Sequence, residues 1–346
     1  MKMKTLAGIT AGLVLVLTAC GDGDGATSSE PETTEPTATV EPATTEPTAT
    51  TEPATTEPTA TTEPATTEPA TTEPATTEPA TNPESDVPDR IVSLSPIATE
   101  MIFAIGAEDL LVAVDDFSYY PAEALELPHD LSAYEPNVEG IAAYEPDLVL
   151  ISGDFTGLGE QLTSIGIEYW DGPAAITLDD TYTQIEQLGV ITGRVGEAAE
   201  LVSQMQSDIK AIVASAPPLD EPLTYYHELG PDLYGATSST FIGQLYDLVG
   251  LENIADAADE GGSGYPQLNA EYIVEANPDL IFLADTKCCD VTAASVAERP
   301  GWDQIAAVHN DGVIEMDDDI ASRWGPRVVD YLQAIVDAVA AVPVGA

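Results

Sequence analysis

Residues 137–150 read Asn-Val-Glu-Gly-Ile-Ala-Ala-Tyr-Glu-Pro-Asp-Leu-Val-Leu, and residues 269–282 read Asn-Ala-Glu-Tyr-Ile-Val-Glu-Ala-Asn-Pro-Asp-Leu-Ile-Phe. Asn137 and Asn269, Glu139 and Glu271, Ile141 and Ile273, Pro146 and Pro278, Asp147 and Asp279, and Leu148 and Leu280 coincide without a gap. A spaced internal match of this kind means two similar supersecondary units in one chain. In each unit Asn caps a short helix, Glu stands in its first turn where the helix dipole favours negative charge, and Ile faces inward. Pro-Asp then breaks the helix, and the apolar run that follows suits a buried parallel strand. The repeat constrains the chain to two related α/β lobes, each offering one glutamate at an equivalent place.

Residues 1–20 read as a processing segment. Lys2 and Lys4 make a positive start, Leu6 to Leu17 is apolar, and Leu17-Thr18-Ala19-Cys20 closes it. The apolar stretch is short for a permanent span. Its ending is similar to a bacterial lipobox, in which the cysteine becomes the lipidated first residue, so Cys20 is the expected lipid attachment point. Two acyl chains there meet the requirement for stable anchoring. Residues 21–88 consist of Glu-Pro-Ala-Thr-Thr and Glu-Pro-Thr-Ala-Thr-Thr units with almost no large apolar side chain. Nothing in them offsets the entropy of ordering, and the recurrent proline favours extended polyproline II. At roughly 3.1 Å per residue such a tether reaches on the order of 200 Å, which suits a spacer crossing the thick wall of a Gram-positive cell. The expected location is the extracellular face of the cytoplasmic membrane.

The chain holds 61 acidic and 9 basic residues, a net charge of −52. Residues 1–88 take 15 of the acids and two of the bases, which leaves 46 and 7 for the folded part. Nucleic acid is excluded as a partner because nothing here could neutralise phosphates. Beyond Cys20 only Cys288 and Cys289 remain. In an exported protein thiols tend to be oxidised. Adjacent Cα atoms lie about 3.8 Å apart, closer than the usual disulfide range. A vicinal disulfide stiffening a loop is the preferred reading, with a soft-metal or heme-iron contact as the alternative.

Residues 89–178 read as a first lobe, 179–215 as a connecting helix and 216–346 as a second lobe. Ser95-Pro96 starts a helix with Ser as N-cap and Pro in the first turn. Strands are expected at 89–94, 111–114 and 166–170, and again at 223–227 and 313–316, with a last helix from about Pro326. Between 178 and 215 apolar residues recur at three- and four-residue steps, from Ile185 to Ile212, as an amphipathic helix requires. Gly189, Gly193 and Gly196 predict a bend or break in its first half.

Several phrases in this order resemble the substrate-binding proteins of bacterial iron-chelate and cobalamin ABC importers. They are Arg90-Ile-Val-Ser-Leu-Ser-Pro with Thr99-Glu100, Tyr120-Pro121, Asn137-Val-Glu139 and Glu145-Pro-Asp147. In the second half come Leu248-Val-Gly250 with Glu252-Asn253-Ile254, Glu271 with Asn277-Pro-Asp279, Trp302, and Gly325-Pro326-Arg327. The resemblance covers residues 89–342. It implies an α/β fold of two Rossmann-like lobes with central parallel sheets, joined by one long backbone helix, with the ligand cleft between the lobes. It also implies a monomeric binder that hinges little, holds a metal chelate and delivers it to a permease dimer with its ATPase. Cobalamin is the favoured cargo, with a ferric siderophore or heme next; no resident cofactor or metal is expected. By position Glu139 and Glu271 match the two acidic residues that dock on permease arginines. The alternative for both is that of first-turn helix acids, worth up to about 1 kcal/mol each through the dipole.

A bulky chelate needs stacking surfaces and a few polar anchors, and loops after the strands of an open α/β sheet face the crevice. The candidates are Tyr119, Tyr120, Tyr134 and Phe155 from the first lobe, with Tyr226, His227, Tyr265, Arg323 and Trp324 from the second. Tyr134 and Tyr265 fall where the resemblance places aromatics stacked on a corrin. Arg323 could pair with a carboxylate or catecholate, or satisfy Asp317–Asp319. An enzyme is disfavoured: there is no Gly-x-Ser-x-Gly elbow, His-Glu-x-x-His or phosphate-cradling loop. The competing readings are a wall-associated sensing or adhesion lipoprotein and, below it, a hydrolase.

Overall fold

A computed structural model describes residues 87–342. The sequence expectations for Cys20 and the spacer lie outside these residues. The first lobe carries β1 (Ile91–Ser93), β2 (Leu111–Val114), β3 (Leu148–Ile151) and β4 (Glu168–Asp171), all parallel in the order β2-β1-β3-β4. The second carries β5 (Thr224–Glu228), β6 (Glu252–Asn253), β7 (Leu280–Leu283) and β8 (Val313–Glu315), parallel in the order β6-β5-β7-β8. The two sheets thus share one topology, as the repeat requires.

The helices are α1 (Pro96–Ala104), α2 (Val138–Ala142), α3 (Leu158–Ser164), α4 (Leu178–Ile191), α5 (Val195–Ser215) and α6 (Phe241–Asp247). They continue with α7 (Ala270–Ala276), α8 (Thr286–Cys289), α9 (Ala293–Ala297), α10 (Ala306–His309), α11 (Asp318–Ala321) and α12 (Val328–Ala341). The repeated segments are α2–β3 and α7–β7. Asn137 accepts from the amides of Glu139 and Gly140, and Asn269 from that of Tyr272. Glu145 and Asn277, equivalent in the repeat, both take positive φ, 48° and 50°. That left-handed residue ends each helix turn before the proline. The aspartates that follow have matching tasks. Asp147 Oδ2 accepts the Asp89 and Arg90 amides at 3.0 and 3.1 Å, and Asp279 Oδ2 accepts the Thr224 amide at 2.8 Å. Each thereby pins the start of the neighbouring strand.

Residues alternate across each sheet, as strand geometry demands. Val92, Val149 and Ile151 pack outward in one cluster, and Tyr226, Ile281 and Leu283 in a second. The opposite faces, with Ile91, Leu148 and Leu150 in one lobe and Tyr225, Leu280 and Phe282 in the other, belong to a single core. Helices α4, α5 and α12 carry it across, through Ile185, Leu188, Val202, Met205, Leu332 and Ile335. One continuous apolar core through both lobes opposes wide opening, because separating them would expose it to water.

The predicted helix over 178–215 is two helices. Thr192–Arg194 turn the chain, with Gly193 at φ +72°, and the Arg194 amide bonds Gly189 O at 2.7 Å. At Gly189 a Cβ would collide with that of Ala198, so the glycine lets α4 and α5 lie side by side. The long backbone element between lobes is α5, 21 residues or about 31 Å at 1.5 Å per residue. It packs against α12 and leads into β5.

Candidate functional site

A cavity of about 620 Å³ lies where the carboxyl ends of the two sheets face each other. Its first-lobe wall comes from the loops after β1 (Leu94, Pro96, Ile97), β2 (Asp115, Phe117) and β3 (Ser152 to Thr156), with Ala133 and Tyr134. Leu229 after β5, Ala284 and Cys288 after β7, and Asp318, Asp319, Ser322, Arg323 and Trp324 after β8 form the other side. Strand ends supply both walls, the position at which open parallel sheets bind ligands.

Four of the nine residues expected in the cleft line it: Tyr134, Phe155, Arg323 and Trp324. Phe155 is 93% and Tyr134 77% exposed, and Phe117 meets Tyr134 edge-on at 5.5 Å. Aromatic faces left bare at a cavity mouth are stacking surfaces in waiting. The Trp324 indole donates to Gln184 on α4 at 3.2 Å, which fixes its ring.

The structure moves three other candidates elsewhere. Tyr226 and His227 are fully buried, inside β5 and not after it. Alternation sends Tyr226 to the outer cluster and His227 into the shared core. There His227 Nδ1 meets the Tyr246 and Tyr331 hydroxyls at 2.9 and 3.3 Å. Burial lowers its pKa to about 3, so it stays neutral. The expectation that both face the crevice is corrected; the crevice begins at Leu229. Tyr265 is half-exposed in a loop tied by Asp259 to the amides of Ser263 and Gly264, and it does not line the cavity.

Tyr119 and Tyr120 serve a different contact, one that sequence reasoning missed. Glu100 on α1 is 3% exposed. It accepts from Arg323 Nη1 at 3.0 Å, Arg327 Nε at 2.9 Å and Arg327 Nη2 at 2.5 Å, both arginines coming from the second lobe. The Arg327 guanidinium stacks over Tyr120 at 4.0 Å. Arg323 lies over Tyr119 at 5.3 Å and also donates to Asp319 at 2.9 Å. The Tyr119 hydroxyl donates to Asp319 as well. This buried latch joins the lobes beside the cavity and consumes the cationic capacity of Arg323. The phrases Thr99-Glu100 and Gly325-Pro326-Arg327 carried its residues, but nothing in the sequence paired them.

Four carboxylates, Asp115, Asp154, Asp318 and Asp319, stand in the wall against the one guanidinium. Three are fully engaged. Asp154 accepts the Leu158 and Gly159 amides, and Asp318 those of Thr286, Lys287 and Cys288. Asp319 holds Lys287, Arg323 and Tyr119. By anchoring three successive amides Asp318 fixes α8, where Cys288 and Cys289 are joined as a vicinal disulfide with Cα atoms 3.8 Å apart. Cys288 presents that wall to the cavity. Among the described residues no group of histidine, cysteine and carboxylate side chains could hold a metal ion.

Glu139 and Glu271 are exposed, in the first turns of α2 and α7. Each helix leads straight into a parallel strand, so its N-terminus lies at the carboxyl edge of its sheet. One glutamate per lobe therefore stands on the cleft side of the molecule, outside the cavity lining.

A family model described as periplasmic binding protein matches residues 91–320. An uncharacterized ABC transporter substrate-binding lipoprotein of Bacillus subtilis, YvrC, is 31% identical over 260 residues, covering 73% of this chain and 80% of its own length. A cobalamin-binding protein of Halobacterium salinarum is 30% identical over 259 residues, 72% of this chain and 69% of its length. The crystal structure of the periplasmic heme-binding protein HutB of Vibrio cholerae superposes with a TM-score of 0.64 at 27% identity, over 73% of this chain and 98% of that one.

Proposed function

This chain belongs to the periplasmic binding protein family, a family of solute-binding proteins and not of enzymes, and on that premise we propose that it captures cobalamin for an ABC importer. The observation that carries the cargo is the charge balance of the cleft. Its single guanidinium is already shared between Glu100 and Asp319, and four carboxylates share the wall with it. Heme propionates or a ferric catecholate would bring further negative charge into that wall with no free cation to meet it, a costly desolvation. A neutral macrocycle rimmed with amides stacks on Phe155, Tyr134 and Trp324 and brings no net negative charge into that wall, where Asp115 alone has an oxygen without a partner. The cobalamin-binding relative supports the same choice.

Glu139 and Glu271, one per lobe on the cleft side, are the residues we assign to permease docking. Cys20 carries the lipid anchor, and residues 21–88 act as the spacer holding the lobes beyond the wall of a Gram-positive cell. The relative from Bacillus subtilis is itself named a lipoprotein. The cargo is tested by titrating the detergent-solubilised full chain with cyanocobalamin, hemin and a ferric catecholate while following tryptophan fluorescence. Saturable one-to-one quenching by cyanocobalamin alone is expected; tighter binding of hemin or the catecholate overturns the charge argument.

A further inference from the structure

Asp115 differs from every other carboxylate of the cavity wall. It follows β2 directly and is 1% exposed. Its Oδ1 takes the Ser118 hydroxyl, while Oδ2 is buried with no hydrogen-bond partner. Ser118 in turn meets Thr99 Oγ1 at 2.9 Å, and Thr99 donates to Ser93 Oγ at 2.9 Å. The fold has therefore built a buried hydroxyl relay from β1 and α1 that orients one carboxyl at the cavity wall and leaves one of its oxygens unused. A buried acceptor without a partner is costly, and such atoms in native structures call for a reason.

We infer that Asp115 is a specificity-determining residue of the cleft, whose free oxygen accepts a hydrogen bond from an amide N–H of the bound chelate and repels ligand carboxylates. The inference rests on the cargo reading above and adds the residue that enforces it. A donor at Oδ2 would complete a polar chain otherwise broken at its last atom. A carboxylate placed there would face an acceptor that is itself negative.

The surroundings give this contact a pH signature. Burial pushes the carboxyl up to about 6; Asp116 on the same loop adds to the rise, while the Ser118 hydroxyl, the Phe117 amide and Arg323 across the cleft oppose it. Leu131, paired with Asp115 from the adjoining segment, is apolar. Arg323 is shared with Glu100 and Asp319. The side chain thus changes charge in a range where the amides of cyanocobalamin do not titrate, and an ionised acceptor makes the stronger bond.

The experiment measures cyanocobalamin and hemin affinity of the full chain between pH 5 and 8, for the wild type and Asp115→Asn. In the wild type cyanocobalamin affinity should rise roughly tenfold between pH 5 and 7.5. Asp115→Asn should bind it weakly with no such rise, and should bind hemin more tightly than the wild type does at pH 7.5. A wild-type affinity independent of pH overturns the inference whether or not the variant folds. So does a variant with the wild-type profile. Cyanocobalamin bound with a flat profile defeats this inference alone; no chelate bound at any pH defeats the cargo reading and this inference with it.

Discussion

Replacing Glu100 by alanine should cost the protein about 3–5 kcal/mol, the penalty for removing one partner of a buried ion pair. The figure follows from who is left behind. Arg323 keeps Asp319 at 2.9 Å and the Phe117 carbonyl at 3.3 Å. Arg327 loses both of its hydrogen bonds and retains only the face of Tyr120, with 11% of its side chain exposed. Most of the penalty is the desolvated, unpaired charge of Arg327. For a chain of this size that corresponds to a fall in Tm of roughly 6–20 °C. Urea unfolding of the full chain, followed by tryptophan fluorescence, gives the free energy directly. Because the strain lies in the orphaned charge, Glu100→Met with Arg327→Met should be less destabilised than Glu100→Ala alone. A Glu100→Ala variant within about 0.5 kcal/mol of the wild type, or strictly additive effects in the pair, would refute the view that this latch holds the lobes.

Two buried groups set opposing pH dependences. His227 titrates at about 3 when folded and near 6.5 when unfolded, so its contribution is complete above pH 6.5 and is lost on acidification, at about 1.4 kcal/mol per pH unit. Asp285 is raised from 3.8 to about 7 by burial and by Glu228, so its contribution is complete below pH 3.8 and is lost as the pH rises towards 7. Between those limits the two proton counts cancel. Asp285→Asn should therefore lose stability between pH 6.5 and 4.5 more steeply than the wild type, by about one proton's slope in urea midpoints; equal slopes would disprove the pairing. Separately, Glu139→Ala with Glu271→Ala should leave cyanocobalamin affinity unchanged and abolish uptake in cells supplied with the importer. Undiminished uptake would remove the docking assignment.

The repeat was the most informative part of the sequence because its residues act within their own lobe. Asn137 and Asn269 cap the helices they open, and Asp147 and Asp279 hold adjacent strands within their own lobe. The break at Gly193 was legible for the same reason, since a glycine run interrupts an otherwise regular helical pattern. What escaped was long-range or register-dependent. Glu100 meets Arg323 and Arg327 across more than two hundred residues, and no periodicity links them. Tyr226 and His227 looked like crevice residues because the end of β5 was expected at 227, whereas the strand runs to Glu228 and the cavity starts only at Leu229. The aromatic rim fared better: Tyr134, Phe155 and Trp324 lie in loops after strands, where position in the chain already decides which way they face. Asp115 escaped as well, because its burial comes from tertiary packing that no local pattern announces.

On the reading proposed above, a cleft whose guanidinium is already engaged selects a neutral, amide-rich chelate. Native mass spectrometry of the full chain with equimolar cyanocobalamin, hemin and a ferric catecholate tests it in one competition. A single dominant complex carrying one cyanocobalamin per chain is expected. A dominant complex with hemin or the catecholate would contradict it.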